Sequence, residues 1–272
     1  MSSVAEIAVP SRPQDVYLFA TCVVDQFFPQ AGLDAITLLE RLGLRVHFPE
    51  DQTCCGQPAY TSGQPDAARR VAAGTLTLFP EPWPVIVPSG SCAGMMRHHY
   101  VRLFADCPEE RAQAEALAPR VYELTQFLVE VMGWQPQDGG EPCTVVLHPS
   151  CSARREMGVH RTGLALLGAL AGVTVAQQDH ESECCGFGGT FSVKQPEISV
   201  AMVEDKVRAL QATGASEVVS ADCGCLMNIL GHAAWKDRQG GRRSASLPGE
   251  HMASFLLRRT AGQGTTQGGE GA

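Results

Sequence analysis

The sequence is short of several things, and each shortage narrows what the chain can be. No apolar run among its 272 residues reaches the roughly 18 needed to span a bilayer. The opening MSSVAEIAVPSRPQD has no basic region followed by an apolar core, so no secretory leader is expected. No Lys/Arg cluster is interleaved with aromatics, and the formal net charge is −8, which argues against a nucleic acid or an anionic membrane as the main partner. There is no C-x2-C-x2-C-x3-C-P ferredoxin run. The glycine-rich stretch GFGGTF fits neither a dinucleotide fingerprint nor a P-loop. A Ser/His/Asp hydrolase elbow and a paired-carboxylate signature are also missing.

What is abundant is cysteine, with 11 residues. These features together point to the cytoplasm, where thiols stay reduced, so the cysteines suggest metal ligands or redox chemistry before disulfides. Their order supports this. ECCGFGG around Cys184 and Cys185 echoes TCCGQPA around Cys54 and Cys55, and the surroundings repeat as well. Cys22 lies 32 residues before Cys54, and Cys151 lies 33 before Cys184. Cys92 lies 37 after Cys55, and Cys225 lies 40 after Cys185. Gln64-Pro65-Asp66 and Gln195-Pro196-Glu197 open matching helical patterns, each with proline in the first turn and an acid favourable to the helix dipole. ELTQFL at 123–128 corresponds to HMASFL at 251–256.

With 44% hydrophobic and 18% charged residues the chain can bury a sizeable core. Strands are expected at Val16–Ala20, Arg45–Phe48 and Val85–Val87, then at Thr144–Leu147, Val173–Ala176 and Val218–Ser220. Helices are expected at Leu33–Leu42, Pro65–Leu78, from Ala93 onward and at Tyr122–Met132, then at Thr162–Leu170 and Pro196–Leu210. The alternation predicts an α/β fold of two pseudo-symmetric βαβ-type repeats, 13–138 and 143–260, packed as a compact bilobal body with both clefts near the lobe interface. Asp138–Pro142 reads as the linker between them. Residues 1–12, 261–272 and parts of 236–246 are expected to be disordered. Every cysteine of the repeat follows a predicted strand, so each half should gather four thiols at the C-terminal rim of its sheet, where α/β folds bind ligands.

Two adjacent cysteines in extended chain point oppositely, so they do not easily fill two corners of one small tetrahedral ion. A turn changes this, and glycine after the pair permits one. An iron–sulfur cluster is a larger target whose different irons adjacent thiolates can reach, and four thiolates per half meet the need of a cubane. Structural zinc more often uses C-x2-C pairs. The glycines 186–189 either bring backbone N–H groups toward cluster sulfurs or form a plain tight turn. His148 reads as a ligand, a hydrogen-bond partner of a sulfur, or a strand-end histidine bonded to backbone. His98 and His99 read as solvated, Lys194 as a surface lysine or a cluster counter-charge, and Asp222 as a loop-ordering side chain. Met95, Met227 and Phe187 read as shields, and Cys107 and Cys143, outside the repeated cysteine pattern, as inert.

The stretches LFATC, HFPEDQTCCGQPAYTSG, PSGSCAGM, HPSCSARREMGV, CCGFGGTFSVKQPEIS and SADCGCLMNILG resemble the Cys-Cys-Gly domain superfamily. That superfamily includes the Cys-Cys-Gly subunit of heterodisulfide reductase and the iron–sulfur subunit of glycolate oxidase, and the chain is most similar to the lactate-utilisation protein A family within it. The resemblance runs from about Val16 to Leu257. It implies an iron–sulfur subunit of a complex that oxidises L-lactate to pyruvate, acting with a ferredoxin-type iron–sulfur subunit and a third subunit. It also implies that Cys22, Cys54, Cys55 and Cys92 hold one cluster and Cys151, Cys184, Cys185 and Cys225 another, each of the [4Fe–4S] type. One departure matters. The reductase motif ends in C-x2-C, but here Met95 and Asn228 stand where the last thiol would be, leaving each site one short of five. Cys223 is a candidate extra thiol for the second site. Two other roles remain open: a zinc-binding structural or assembly protein, and a metal-free thiol–disulfide oxidoreductase using the vicinal pairs.

Overall fold

The computed structural model describes residues 12–239 and 247–262. Among the described residues eight strands form two four-stranded sheets, parallel throughout. In the first half these are β1 (Asp15–Leu18), β2 (Arg45–His47), β3 (Val85–Val87) and β4 (Val121–Glu123), ordered β2-β1-β3-β4. In the second they are β5 (Cys143–His148), β6 (Val173–Ala176), β7 (Glu217–Ser220) and β8 (Gly249–His251), ordered β6-β5-β7-β8. The registers correspond, with Leu18 opposite Ile86 in one sheet and Leu147 opposite Val219 in the other. The centre of each sheet is an uninterrupted apolar run, Val85-Ile86-Val87 and Val145-Val146-Leu147, buried as parallel strands covered on both faces must be.

The helices follow from their terminal residues and their stripes. Pro29–Arg41 and Pro65–Leu76 each begin on proline, whose missing N–H is unneeded in a first turn. Pro29–Arg41 buries Ala31, Ala35, Leu38 and Leu39 at helical spacing. Pro196–Ala212 buries Ser199, Val203, Lys206, Val207 and Leu210, a stripe that is apolar but for Ser199 and a lysine.

The halves exchange helices. Pro29–Arg41 of the first packs on Met252–Arg259 of the second, and Leu124–Gln126 of the first packs on Val159–Ala169 of the second. One core therefore contains Leu38, Leu39, Phe127, Leu166, Leu167 and Phe255 from both halves. Across the same seam a Cβ on Gly90 would collide with that of Ala153, so only glycine lets the two loops approach.

Several expectations need correction. Tyr122 does not open a helix. Val121–Glu123 is strand β4, and the helix starts at Leu124 because Glu123 turns its carboxylate onto the Thr125 and Gln126 N–H groups. Gly249–His251 is the matching strand β8, capped in the same way by His251. The helix Pro108–Leu117 is an insertion of the first half, and its sequence carries little apolar periodicity to announce it. The 138–142 segment is pinned. Asp138 and Arg259, both 3% exposed at the side chain, pair at 2.5 Å, and Asp138 also accepts from the N–H groups of Gly140 and Gly172. Lys236–Gln239, within one stretch expected to be disordered, complete the helix that begins at Cys223. The other segments of that expectation lie mostly outside the described residues.

Candidate metal centres

In a parallel sheet ordered 2-1-3-4 the chain leaves its first and third strands in opposite directions, and the crevice between them is where such folds bind ligands. Cys22 follows β1 as the first residue of the Cys22–Phe27 helix, which Thr21 caps. Cys54 and Cys55 follow β2, and Cys92 follows β3 within the short helix Gly90–Gly94. In the second half Cys151 follows β5, Cys184 and Cys185 follow β6, and Cys225 lies in the first turn of the Cys223–Gln239 helix after β7. The eight cysteines named from the sequence thus occupy two equivalent rims. All eleven cysteines are free thiols.

The pairs adopt the turn their glycines allow. Gly56 and Gly186 have φ of +84° and +83°, in the left-handed region that glycine alone enters without strain. A Cβ on Gly186 would also meet the Ser199 carbonyl oxygen at 2.6 Å. The Gly56 N–H donates to Cys54 Sγ at 3.4 Å, and the Gly186 N–H donates to Cys184 Sγ at 3.3 Å. Each turn is held from behind through the carbonyl of its second cysteine, which accepts from Tyr100 Oη in one half and from Asn228 Nδ2 in the other, both at 2.8 Å.

Within each site the thiols lie close enough to influence one another's titration, Cys22, Cys54, Cys55 and Cys92 in one and Cys151, Cys184, Cys185 and Cys225 in the other. Cys54 accepts from Cys22 and Cys55, and this holds its pKa far below that of a free thiol. Cys184 is lowered in the same way by Cys151 and Cys185. Cys22 and Cys151, as donors, are pushed up. Each site therefore stabilises one thiolate through the protons of its neighbours, the state a soft metal binds first.

The sites differ in what surrounds the thiols. A cavity of about 70 Å³ at the first is walled by Cys22, Cys54, Cys55 and Cys92 and closed from the second half by Phe187 and Cys223. Cys223 thus faces the first site instead of joining the second, because it starts the helix after β7 at the seam between the halves. Phe187 reaches the same cavity because Gly188 and Gly189, with φ of +52° and +63°, turn the chain there, and Gly189 sits against Pro58. A larger cavity of 420 Å³, near Leu38, Trp134 and Thr260, contains none of the thiols.

At the second site stands His148, fully buried, with no hydrogen-bond partner for either ring nitrogen. One of its nitrogens and the sulfurs of Cys185 and Cys225 lie within 4.8 Å of one another. Burial, with the Lys206 cation adding to it, lowers its pKa to about 3 and keeps the imidazole neutral. Lys206 is itself 3% exposed and donates to the His180 carbonyl at 2.5 Å and to Gln178 Oε1 at 3.4 Å. Its place in an otherwise largely apolar helical stripe was the available sign of this role. Glu123 and His251, at corresponding strand ends, are also buried; burial raises Glu123 to about 7 and lowers His251 to about 4.

The remaining candidates resolve individually. Asp222 is 5% exposed and ties the halves by accepting the Ser91 N–H at 3.1 Å. His98 and His99 are not simply solvated, since Nε2 of each contacts Glu156 across the seam, at the carbonyl oxygen (3.1 Å) and the carboxylate (3.2 Å). Lys194 is exposed, Met95 is buried and Met227 is half-buried. Cys107 packs against the core, and Cys143 opens β5 with Sγ 3.7 Å from Arg259 Nη1.

An unpartnered buried imidazole beside converging soft thiols fits a metal or cluster better than an apolar cavity, since leaving polar atoms unpaired costs about 1–3 kcal/mol each. No helix among the described residues is long and apolar enough to cross a membrane.

Comparison with known proteins agrees with this duplicated geometry. The family model described as a cysteine-rich CCG domain matches residues 16–97 and again 145–230. Lactate utilization protein A of Shouchella clausii is 47% identical over 89% of this chain and 98% of its own length. Lactate utilization protein A 1 of Bacillus mycoides is 44% identical over 89% of this chain and 96% of its own. Lactate utilization protein A of Bacillus subtilis is 44% identical over 82% and 93%. Among solved structures, a hypothetical protein from Helicobacter pylori superposes with a TM-score of 0.65 over 91% of this chain at 12% identity, and the chain spans about half the length of that protein.

Proposed function

The chain belongs to the cysteine-rich CCG-domain family and, within it, to the lactate utilization protein A family, and on that premise we propose that it is the iron–sulfur subunit of a system that oxidises L-lactate to pyruvate. The observation that carries the reading is the duplicated rim of four thiols, one set after the corresponding strands of each sheet. Cys22, Cys54, Cys55 and Cys92 would hold one [4Fe–4S] cluster, and Cys151, Cys184, Cys185 and Cys225 the other. Such a group supplies one-electron transfer when bound. The chain's own part is to present the thiolates, to aim the Gly56 and Gly186 N–H groups at sulfur, and to keep water from the first site with Phe187. Hydrogen bonds and burial of this kind set cluster potential.

Oxidation of a hydroxy acid removes an electron pair, which calls for a two-electron acceptor. We assign that acceptor to partner subunits, one bearing ferredoxin-type clusters and a third completing the system. The test is to mix the anaerobically prepared chain with those subunits and add L-lactate. Bleaching of this chain's visible absorption at the rate of pyruvate formation supports the role, and pyruvate formation with the absorption unchanged excludes it.

One observation favours a second reading. His148, Cys185 and Cys225 approach within 4.8 Å, a spacing suited to a tetrahedral zinc ion, and a zinc-holding structural or assembly protein would use it so. Metal analysis separates the two.

A further inference from the structure

We propose that His148 is a direct ligand of the metal bound at the second site, taking the place of one of its four thiols, so that this site has three sulfur donors and one nitrogen while the first is held by sulfur alone. The inference rests on the reading that the thiol sites carry metal, and it goes beyond the cysteine set.

His148 is the last residue of β5 and stands three residues before Cys151, as Phe19 stands three before Cys22. Both are fully buried. The fold therefore requires only bulk at this place, and a phenyl ring meets that need in the first half. An imidazole there carries a desolvation cost of about 1–3 kcal/mol for each polar atom left unpaired. Buried polar side-chain atoms nearly always have a partner. His148 has none on either nitrogen, although Gln178, close by, is fully engaged with the Leu147 carbonyl and Lys206.

The imidazole converges with Cys185 and Cys225 Sγ to within 4.8 Å. Cys185 is 2% exposed and Cys225 6%, so water does not compete for the position. The neighbouring cation, Lys206, donates to the His180 carbonyl and to Gln178 Oε1 and makes no hydrogen bond to the ring. A metal is the partner that a neutral imidazole lone pair and two adjacent thiolates would share, since imidazole and thiolate both suit zinc and iron.

The experiment uses the full chain carrying Cys22→Ser and Cys92→Ser, which leaves only the second site intact. The protein is labelled with 15N-histidine, reconstituted anaerobically with ferrous iron and sulfide, and reduced. Pulsed electron paramagnetic resonance should report one strongly coupled, directly bonded nitrogen. His148→Phe, which copies the residue of the first half, should remove that coupling, keep the unfolding temperature close to that of its parent, and weaken iron binding by at least the 10- to 100-fold seen when a metal ligand loses its support. If His148→Phe does not fold, His148→Leu serves for the same comparison. Only weak nitrogen coupling, or strong coupling that survives replacement of His148, would overturn the proposal while leaving the iron–sulfur reading intact. Failure of the wild-type chain to take up iron, or any other metal, would overturn both.

Discussion

In the first half Phe19 stands beside the thiols, Tyr100 supports the pair, and Cys223 completes the wall from across the seam. In the second half a buried imidazole, His148, takes the place of Phe19, the Asn228 amide supports the pair from a different position, and a buried lysine, Lys206, lies behind it. The thiols and glycine turns are equivalent, so the duplication preserved what binds and changed what tunes. Buried positive charge stabilises added negative charge. The second site should therefore be the more easily reduced of the two, and electrons entering at the first should settle there.

The strongest way to break this comparison is to remove one site at a time. Cys54→Ser and Cys184→Ser should each abolish about half of the bound metal, as measured by metal-to-protein ratio, with the surviving half differing in reduction potential between the two variants. Equal potentials in the two would remove the tuning argument. Cys223→Ser should alter only the spectrum of the first site, because the thiol faces that cavity.

The ion pair beneath the 138–142 segment comes next in size. Met252–Arg259 ends on a buried charge, where the matching helix of the first half ends on Val131. Arg259→Leu would leave Asp138 buried without its cation, held only by the Gly140 and Gly172 N–H groups, and should cost about 3–5 kcal/mol in chemical denaturation. A loss below about 1 kcal/mol would mean that the segment does not need its pin.

The strand-end caps give opposite pH slopes. Glu123 is raised to about 7 from 4.5, so the folded state holds its proton longer than the unfolded one. Its contribution is full below about pH 4.5 and is lost as pH rises through 7. His251 is lowered to about 4 from 6.5, so its contribution is present above 6.5 and is lost as pH falls through 4. Glu123→Gln should remove a fall in stability as pH rises from about 4.5 to 7, and His251→Asn a fall as pH drops from about 6.5 to 4, each by up to about 3 kcal/mol. If both variants keep the wild-type profile, the buried caps do not titrate as placed.

The smallest effect should come from the turns. Gly186→Ala meets a carbonyl oxygen at 2.6 Å and Gly56→Ala one at 3.1 Å, with the same positive φ. Both should destabilise by about 1–3 kcal/mol, Gly186→Ala by more.

The repeat, the parallel α/β architecture and the convergence of the two thiol sets were legible in the sequence because each rests on local order: a strand, a cysteine, a helix, at a fixed spacing. Strands β4 and β8 were not. Each has only three residues and ends on a polar side chain, Glu123 or His251, whose task is to cap the following helix, so the segment imitates a helix start. The placement of Cys223 was hidden for a different reason. It depends on the packing of one half against the other, which spacing within a half does not encode. His148 was visible as a candidate, but its lack of any partner is a property of the folded surroundings alone.

Iron and acid-labile sulfide, measured per chain on protein purified without oxygen, test the central claim most directly. Two thiol-held clusters predict iron and sulfide in comparable amounts, falling by about half in either single-site variant. A folded protein that contains zinc and no sulfide, or that refuses iron on reconstitution, would contradict the account.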